Sequence, residues 1–275
     1  MISNKYNIIQ KLSEGSFGAI YKAENIRTNE FVAIKFEYKN SNSKTLKNEA
    51  KIYQYLGKQT GFPQLKWFGS DYNYTYLVID LLGVSLSEMI HRYKRFSLKT
   101  TLILGMQIIT RIKVLHDKYL LHRDIKPDNF LFGLDTQTNK LFLVDFGFAK
   151  RYNYNGQHIP EKKINNLIGS PNFVSLNIHK GIEPSRRDDI ESCIYIIIYM
   201  LYGKLEWFDK NIEDMAILKE QLTNKSEIPI FLKNMILFVR NIKFDETPDY
   251  EYIINLLVSV FNNNRYELDN IYEWS

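Results

Sequence analysis

Residues 120–132 read LLHRDIKPDNFLF. Leu120 and Leu121 at one end and Phe130, Leu131 and Phe132 at the other enclose His122, Arg123, Asp124, Lys126, Asp128 and Asn129. A surface loop has no need of apolar clamps, and a core strand would not accept the charges. Such a stretch fixes charged groups against a core. The alternative is a plain turn around Pro127 joining two buried elements, and the rest of the chain decides between the two.

The composition around it is that of a folded domain. The 275 residues are 45% hydrophobic and 24% charged, near the globular average and enough for one large or two-lobed domain. Abundant Phe and Tyr favour a large aromatic core. With 36 basic and 31 acidic residues the net charge is +5. That permits weak attraction to anions such as nucleotides or acidic proteins, and is too small and scattered for a nucleic-acid binder. The single cysteine, Cys193, excludes an internal disulfide and a cysteine-based zinc site. It lies in the run CIYIIIYMLY, residues 193–202, which is well short of the roughly 20 residues of a membrane span and reads as a buried helix. The opening MISNKYNIIQKL has neither the apolar core nor the small-residue cleavage site of a secretory leader. The expectation is a monomer in a reducing, cytoplasmic setting, with nuclear access open and no membrane or nucleic-acid partner.

Up to Gly83 the chain predicts strands. YNIIQKL, AIYKAEN, FVAIKFEY and YTYLVIDLL are β-branched and aromatic, with turn signals between the first three. One helix interrupts them near residues 44–56, with Leu46, Ala50, Ile52, Tyr53 and Leu56 as its apolar stripe. Beyond Gly83 the pattern is helical, with a buried helix over 98–118 and short strands near 129–132 and 141–144. Residues 150–185, with Pro160, Pro171 and Pro184, read as a long functional loop, and helices resume from about Asp188. The expected organisation is one domain with a β-rich lobe over 1–82, a helical lobe over 83–275, and a cleft between them as the natural ligand site.

Further motifs carry chemistry. LSEGSFGAIYKA, residues 12–23, puts Gly15 and Gly18 between two strands, where backbone can approach a bulky anion; an ordinary hairpin turn reads equally well. FVAIK ends at Lys35, a strand lysine that is costly to bury unless an anion meets it, and Glu49 on the following helix is the candidate partner; taken alone, a solvent-facing strand lysine is the plainer reading. VDFGFAK, residues 144–150, sets Asp145 after an apolar strand, where a carboxylate suits a hard cation such as Mg²⁺; a simple Asp-x-Gly turn is the alternative. A Gly-rich turn, V-A-I-K, a helical Glu, H-R-D-x-K-x-x-N and D-F-G, in this order, resemble the signature set of protein kinases. RFSLKT, HRDIKPDNFL, SLNIHKGIE, SRRDDIES and KFDETPDYEYI narrow the resemblance to the casein kinase 1 family, over essentially the whole chain. It is weaker from about 205 to 235, where this chain is shorter.

The resemblance implies an α+β, two-lobed kinase fold: a small antiparallel sheet with one helix, then a larger, mostly helical lobe. It implies ATP and Mg²⁺ as cofactors and transfer of the γ-phosphate to Ser or Thr of acidic or already phosphorylated proteins. Asp124 would orient the substrate hydroxyl, and Lys126 would neutralise the γ-phosphate in flight. Asn129 and Asp145 would hold the metal, and Lys35, steadied by Glu49, would grip the α- and β-phosphates. The nucleotide would lie against Leu12, Ser13, Glu14, Gly15, Ser16, Phe17, Gly18, Ala19 and Ile20. Adenine would sit between Ile20 and Ala33 on one side and Leu131 on the other, with Ile79 at the back and backbone of Asp80 to Leu82 at its polar edge. Asp189 would anchor the catalytic loop, a helix N-cap being its plainer reading.

Three departures stand out. Ser13 replaces the first glycine of the Gly-rich loop. The family's Thr-Ala-Arg-Tyr is here Ser170, Pro171, Asn172, Phe173, which keeps a hydroxyl and loses the basic residue that helps bind a substrate phosphate. The sequence also shows no tail of the kind that carries inhibitory phosphosites in the family, so activity as made is expected. The competing reading is a catalytically inactive kinase-fold scaffold, and a further one is a general anion-binding module. Such scaffolds usually lack the strand lysine, the catalytic aspartate or the metal-binding aspartate, and all three are present.

Overall fold

The computed structural model describes the chain apart from Met1, Ser3, Ser16, Phe17 and residues 41–44. It contains two compact units, one of Met1–Val84 with Leu131–Gly147, the other of Ser85–Phe130 with Phe148–Ser275.

The first unit is built on strands β1 (Tyr6–Gly15), β2 (Gly18–Asn25) and β3 (Phe31–Tyr38), helix α1 (Leu46–Leu56), and strands β4 (Leu65–Ser70) and β5 (Tyr74–Asp80). The strands form one antiparallel sheet in the order β1-β2-β3-β5-β4. Side chains alternate along β3. Val32 and Ile34 join Tyr6, Ala23, Tyr76 and Val78 in a core on one face, with Phe36, Trp67 and Tyr74 packed against it. The expected aromatic core is here, with the Phe36 and Tyr76 rings edge to face at 5.0 Å. Lys35 and Glu37 point the other way, towards α1. The Glu37 carboxylate accepts the backbone N–H groups of Thr45 and Leu46 at 2.9 and 3.1 Å. These are donors that the first turn of a helix leaves without partners. The strand thus caps the helix that it faces. The helix buries the whole expected stripe, Leu46, Ala50, Ile52, Tyr53 and Leu56, in which Leu46, Ile52 and Leu56 are each worth about 1.5–3 kcal/mol if fully removed from water. Lys44, the expected first residue, lies outside the described residues.

The second unit is helical: α2 (Leu86–Tyr93), α3 (Leu98–Asp117), α4 (Leu176–His179), α5 (Arg186–Tyr202), α6 (Ile212–Gln221), α7 (Ile230–Asn241) and α8 (Tyr250–Asn263). Helix α3 packs on α5 and α8. Helix α5 carries the apolar run around Cys193, which is buried. No helix among the described residues is long and apolar enough to cross a membrane. The expected loop over 150–185 contains short strands at Lys150–Arg151, Asn153–Tyr154 and Gln157–His158, and α4. Pairs this short leave no periodicity to read. The plainer reading of Asp189 as an N-cap is corrected: the cap of α5 is Ser185, whose N–H donates to Asp188 at 2.8 Å.

Candidate active site

In the first unit the Gly-rich stretch is the β1–β2 hairpin, closing at Gly15 opposite Gly18; Ser16 and Phe17 at its tip lie outside the described residues. Gly18 has φ 132°, and a Cβ there would stand 1.7 Å from the Phe36 carbonyl oxygen. Only glycine fits, for reasons of the sheet itself as well as of any anion. Leu12, Ser13 and Glu14 are exposed, with Glu14 bonded to Lys11, and Ala19 and Ile20 are half-buried. Ile20 pairs with Lys35 across the sheet, and Ala33 with Ile79. Directly paired residues share a face, so Ile20, Ala33 and Ile79 form an apolar patch on the side of the sheet that bears Lys35. Leu131 and Leu82 are half-buried in the same unit. The Asp80 N–H donates to Gln64 O at 3.2 Å, and its carboxylate takes Gln64 N and Lys66.

Lys35 donates to Glu49 at 2.9 Å and to Asp145 at 2.8 Å. Burial by itself would lower its pKa. The two carboxylates outweigh that and raise it, so the ammonium keeps its charge. Glu49 does more than meet Lys35: its other oxygen accepts Phe146 N at 3.3 Å. One turn on, at the i+4 position of the same helix face, the Tyr53 hydroxyl accepts Asp145 N at 3.2 Å. The Tyr53 ring packs edge-on against Phe146 at 4.9 Å. Helix α1 therefore holds the Asp-Phe-Gly segment by two side chains, of which Tyr53 went unread as a site residue although its spacing from Glu49 signalled it. Asp145 itself has φ 65°, a left-handed backbone that costs an ordinary residue about 1–3 kcal/mol.

In the second unit the charged stretch clamped by leucines is a built site. Asp124 is buried. One of its oxygens accepts the Ser170 hydroxyl at 2.7 Å, and the other meets the Lys126 ammonium at 2.9 Å. Asn129 donates through Nδ2 to the Asp124 carbonyl at 2.8 Å. Asp145, in the first unit, offers a carboxylate oxygen, a donor type that hard cations such as Mg²⁺ take along with several waters. The described residues hold no cluster of three or more His, Cys, Asp or Glu side chains that would cage a metal by themselves.

Asp189 sits beneath this loop as expected. Its two oxygens accept His122 N at 2.8 Å and Arg123 N at 2.9 Å. Arg123 has φ 67°, so these bonds fix a strained turn. His116, which sequence reading missed, bonds Asp189 through Nε2 at 2.9 Å and the Tyr250 hydroxyl through Nδ1 at 2.7 Å. Burial lowers the His116 pKa, with Asp189 opposing, and keeps the ring neutral. Burial would raise Asp189, but the hydrogen bond from His116 and the nearby charges and amides outweigh it and keep the carboxylate ionised. Arg123 turns its guanidinium to Phe148 O at 2.7 Å and towards the buried Glu183 at 3.6 Å. Glu183 also meets Lys150 at 2.7 Å and Lys162 at 3.8 Å.

A family model for the protein kinase domain matches residues 6–272. Members of that family phosphorylate proteins with ATP and usually use Mg²⁺. The match runs through both units and contains every candidate site residue, and it shows that the chain belongs to the protein kinase family.

Proposed function

We propose that the protein is an active serine/threonine kinase of the casein kinase 1 type, acting on acidic or primed protein substrates. The observation that carries the reading is the state of Asp124, whose carboxylate is held by Ser170 on one oxygen and Lys126 on the other. A carboxylate fixed in this way can accept a hydrogen bond from a substrate hydroxyl and orient it for attack. Lys126 brings a positive charge to the same place for the phosphoryl group in transfer. Lys35, kept cationic by Glu49, serves the α- and β-phosphates of ATP. Asp145 and Asn129 are each of a residue type that would hold Mg²⁺, and the ion when bound would neutralise phosphate charge. Little covalent work remains for the chain, so positioning and charge carry the catalysis.

The substrate preference rests on cations. Of those that could attract an acidic peptide, Lys150 and Lys162 share Glu183, and Lys225 is bonded to Glu206. Arg151 donates to Asn153 O and lies over the Tyr119 and Tyr154 rings, and Lys163 donates to Lys180 O; these contacts leave both charges for a peptide. Flexible single cations favour acidic segments without fixing one phosphate. An acidophilic bias with weak dependence on priming follows.

The test is incubation with γ-labelled ATP, Mg²⁺ and casein, followed by phosphoamino-acid analysis. Label on serine or threonine is expected. ATP binding without transfer would make the protein a scaffold, and label confined to tyrosine would overturn the substrate class.

A further inference from the structure

A fully buried lysine lies in the helical unit. Lys219 on α6 has no exposed surface, and sequence reading gave it no role. Its amine donates to Pro171 O at 2.8 Å and Val174 O at 2.7 Å, and meets His179 Nε2 at 3.0 Å. It lies over the rings of Tyr195 at 4.9 Å and Trp207 at 5.4 Å. The Trp207 indole N–H takes the carbonyl between, Asn172 O, at 2.7 Å. Two side chains thus hold the carbonyls of residues 171, 172 and 174. Helix α6 is itself tied down, because Arg240 donates to Lys219 O at 2.8 Å while bonding the buried Glu191 at 3.0 Å.

The segment so pinned is the one that touches Asp124. Ser170 donates its hydroxyl to Asp124, and its own carbonyl accepts the N–H groups of Phe173 and Val174 at 2.8 and 3.1 Å, closing a tight turn. Gly169 beside it, with φ 99°, comes so close to the catalytic loop that a Cβ would stand 2.5 Å from Arg123 O. Burying an amine is costly unless its donors are used, and a methionine would fill the same space. Both donor bonds go to this turn. Burial brings the Lys219 pKa down to about 7, yet either protonation state supplies the two N–H groups that the carbonyls need.

We propose that Lys219 is a positioning residue for phosphoryl transfer: by clamping the turn 170–174 it sets where Ser170 holds the Asp124 carboxylate. The proposal rests on the reading of Asp124 as the group that orients the substrate hydroxyl.

The experiment compares wild type with Lys219→Met, which keeps the stem and loses the donors, and Lys219→Gln, which keeps two N–H donors one atom short. Melting temperature and nucleotide binding by a fluorescent ATP analogue are measured beside kcat and the separate KM values for ATP and peptide. A misplaced catalytic group costs roughly 10–100-fold in rate. The expected result is a loss of that size in kcat for Lys219→Met, unchanged nucleotide affinity, and an intermediate kcat for Lys219→Gln. In a Ser170→Ala background, Lys219→Met should add less than a further twofold. A folded Lys219→Met with wild-type kcat, or losses that multiply with Ser170→Ala, would overturn the proposal. Should neither lysine variant fold, Ser170→Ala alone decides: an unchanged kcat removes the path from Lys219 to Asp124, and a tenfold loss at constant KM for ATP upholds it. Asp124→Asn run in parallel separates the two readings. If it keeps turnover, the role of Asp124 fails; if it is inactive while Lys219→Met is normal, the clamp alone fails.

Discussion

Glu49→Gln isolates what the buried carboxylate does for the nucleotide side of the site. The substitution preserves shape, and the amide oxygen can still accept Phe146 N, so the Asp-Phe-Gly segment keeps its anchor on α1. What changes is Lys35, whose ammonium loses a charge 2.9 Å away with both side chains largely buried. Two opposite charges at about 4 Å and an effective dielectric near 20 attract by about 4 kcal/mol. Removing one member of a buried pair costs about 3–5 kcal/mol when its partner is left alone. Lys35 is not left alone, because Asp145 stays at 2.8 Å, so about 2 kcal/mol is the reasonable expectation. The ammonium should swing towards Asp145 and away from its place at the phosphates. At about 1.4 kcal/mol per tenfold, kcat/KM for ATP should fall roughly 30-fold. Lys35→Met should fall further, and the double variant should match Lys35→Met within about threefold, since a carboxylate without its ammonium has nothing to steady. Steady-state kinetics at varied ATP with fixed peptide reads all four corners of the cycle. Losses that simply multiply, to within about 0.5 kcal/mol, would mean that the two side chains act independently and would refute the argument.

Other expectations concern specificity, regulation and pH. Asn172→Arg should raise the ratio of kcat/KM for a primed peptide over its Asp-substituted twin, because arginine supplies the fork that fixes a phosphate; an unchanged ratio means that position 172 does not read it. Phosphatase treatment should leave activity intact, because the carboxylate of Glu183 already meets Arg123 and Lys150, cations that could otherwise cradle a phosphate; loss of activity after dephosphorylation contradicts this. Acid should destabilise the fold. Burial lowers His116, and burial with Lys219 lowers His179 to about 4, both below the ordinary value near 6.5. The unfolded chain takes up these protons first, so the contribution of the two histidines is full above about pH 6.5 and falls as pH drops below it, while Asp188, raised by burial to about 6, works in the opposite direction. For His179 the loss at pH 5 is at most about 2 kcal/mol, reduced by its partial exposure. The check is the slope of melting temperature from pH 7 to pH 5 in wild type and in His179→Gln, and a slope untouched by the substitution would count against it.

Much of this was legible because it lies in local pattern. The stripe of α1 has helical spacing, the alternation along β3 has period 2, and charged residues clamped by leucines and phenylalanines stand out from any core or surface segment. What escaped lies in partners far apart in sequence. Glu183 reads as one acidic residue in a polar stretch, and nothing local says that Arg123, Lys150 and Lys162 converge on it. Lys219 sits between Leu218 and Glu220 in a helix of mixed residues, and its burial depends on carbonyls 45 and 48 positions away. Asp189 and Ser185 both suit a helix start by residue type; only the bond from Ser185 N to Asp188 tells which end of the turn is the cap.

The central claim is that Asp124 orients the hydroxyl that receives the phosphate, and the direct measurement is turnover of Asp124→Asn beside its affinity for ATP. The substitution keeps the size of the side chain and its bond from Ser170, and removes the charge that meets Lys126. Asp124 serves the nucleophile, so the account expects kcat on a casein-derived peptide to fall by about 10²–10⁴, with ATP affinity within a few-fold of wild type. Retention of most of the wild-type turnover, or a collapse of ATP affinity that accounts for the whole loss, would contradict it.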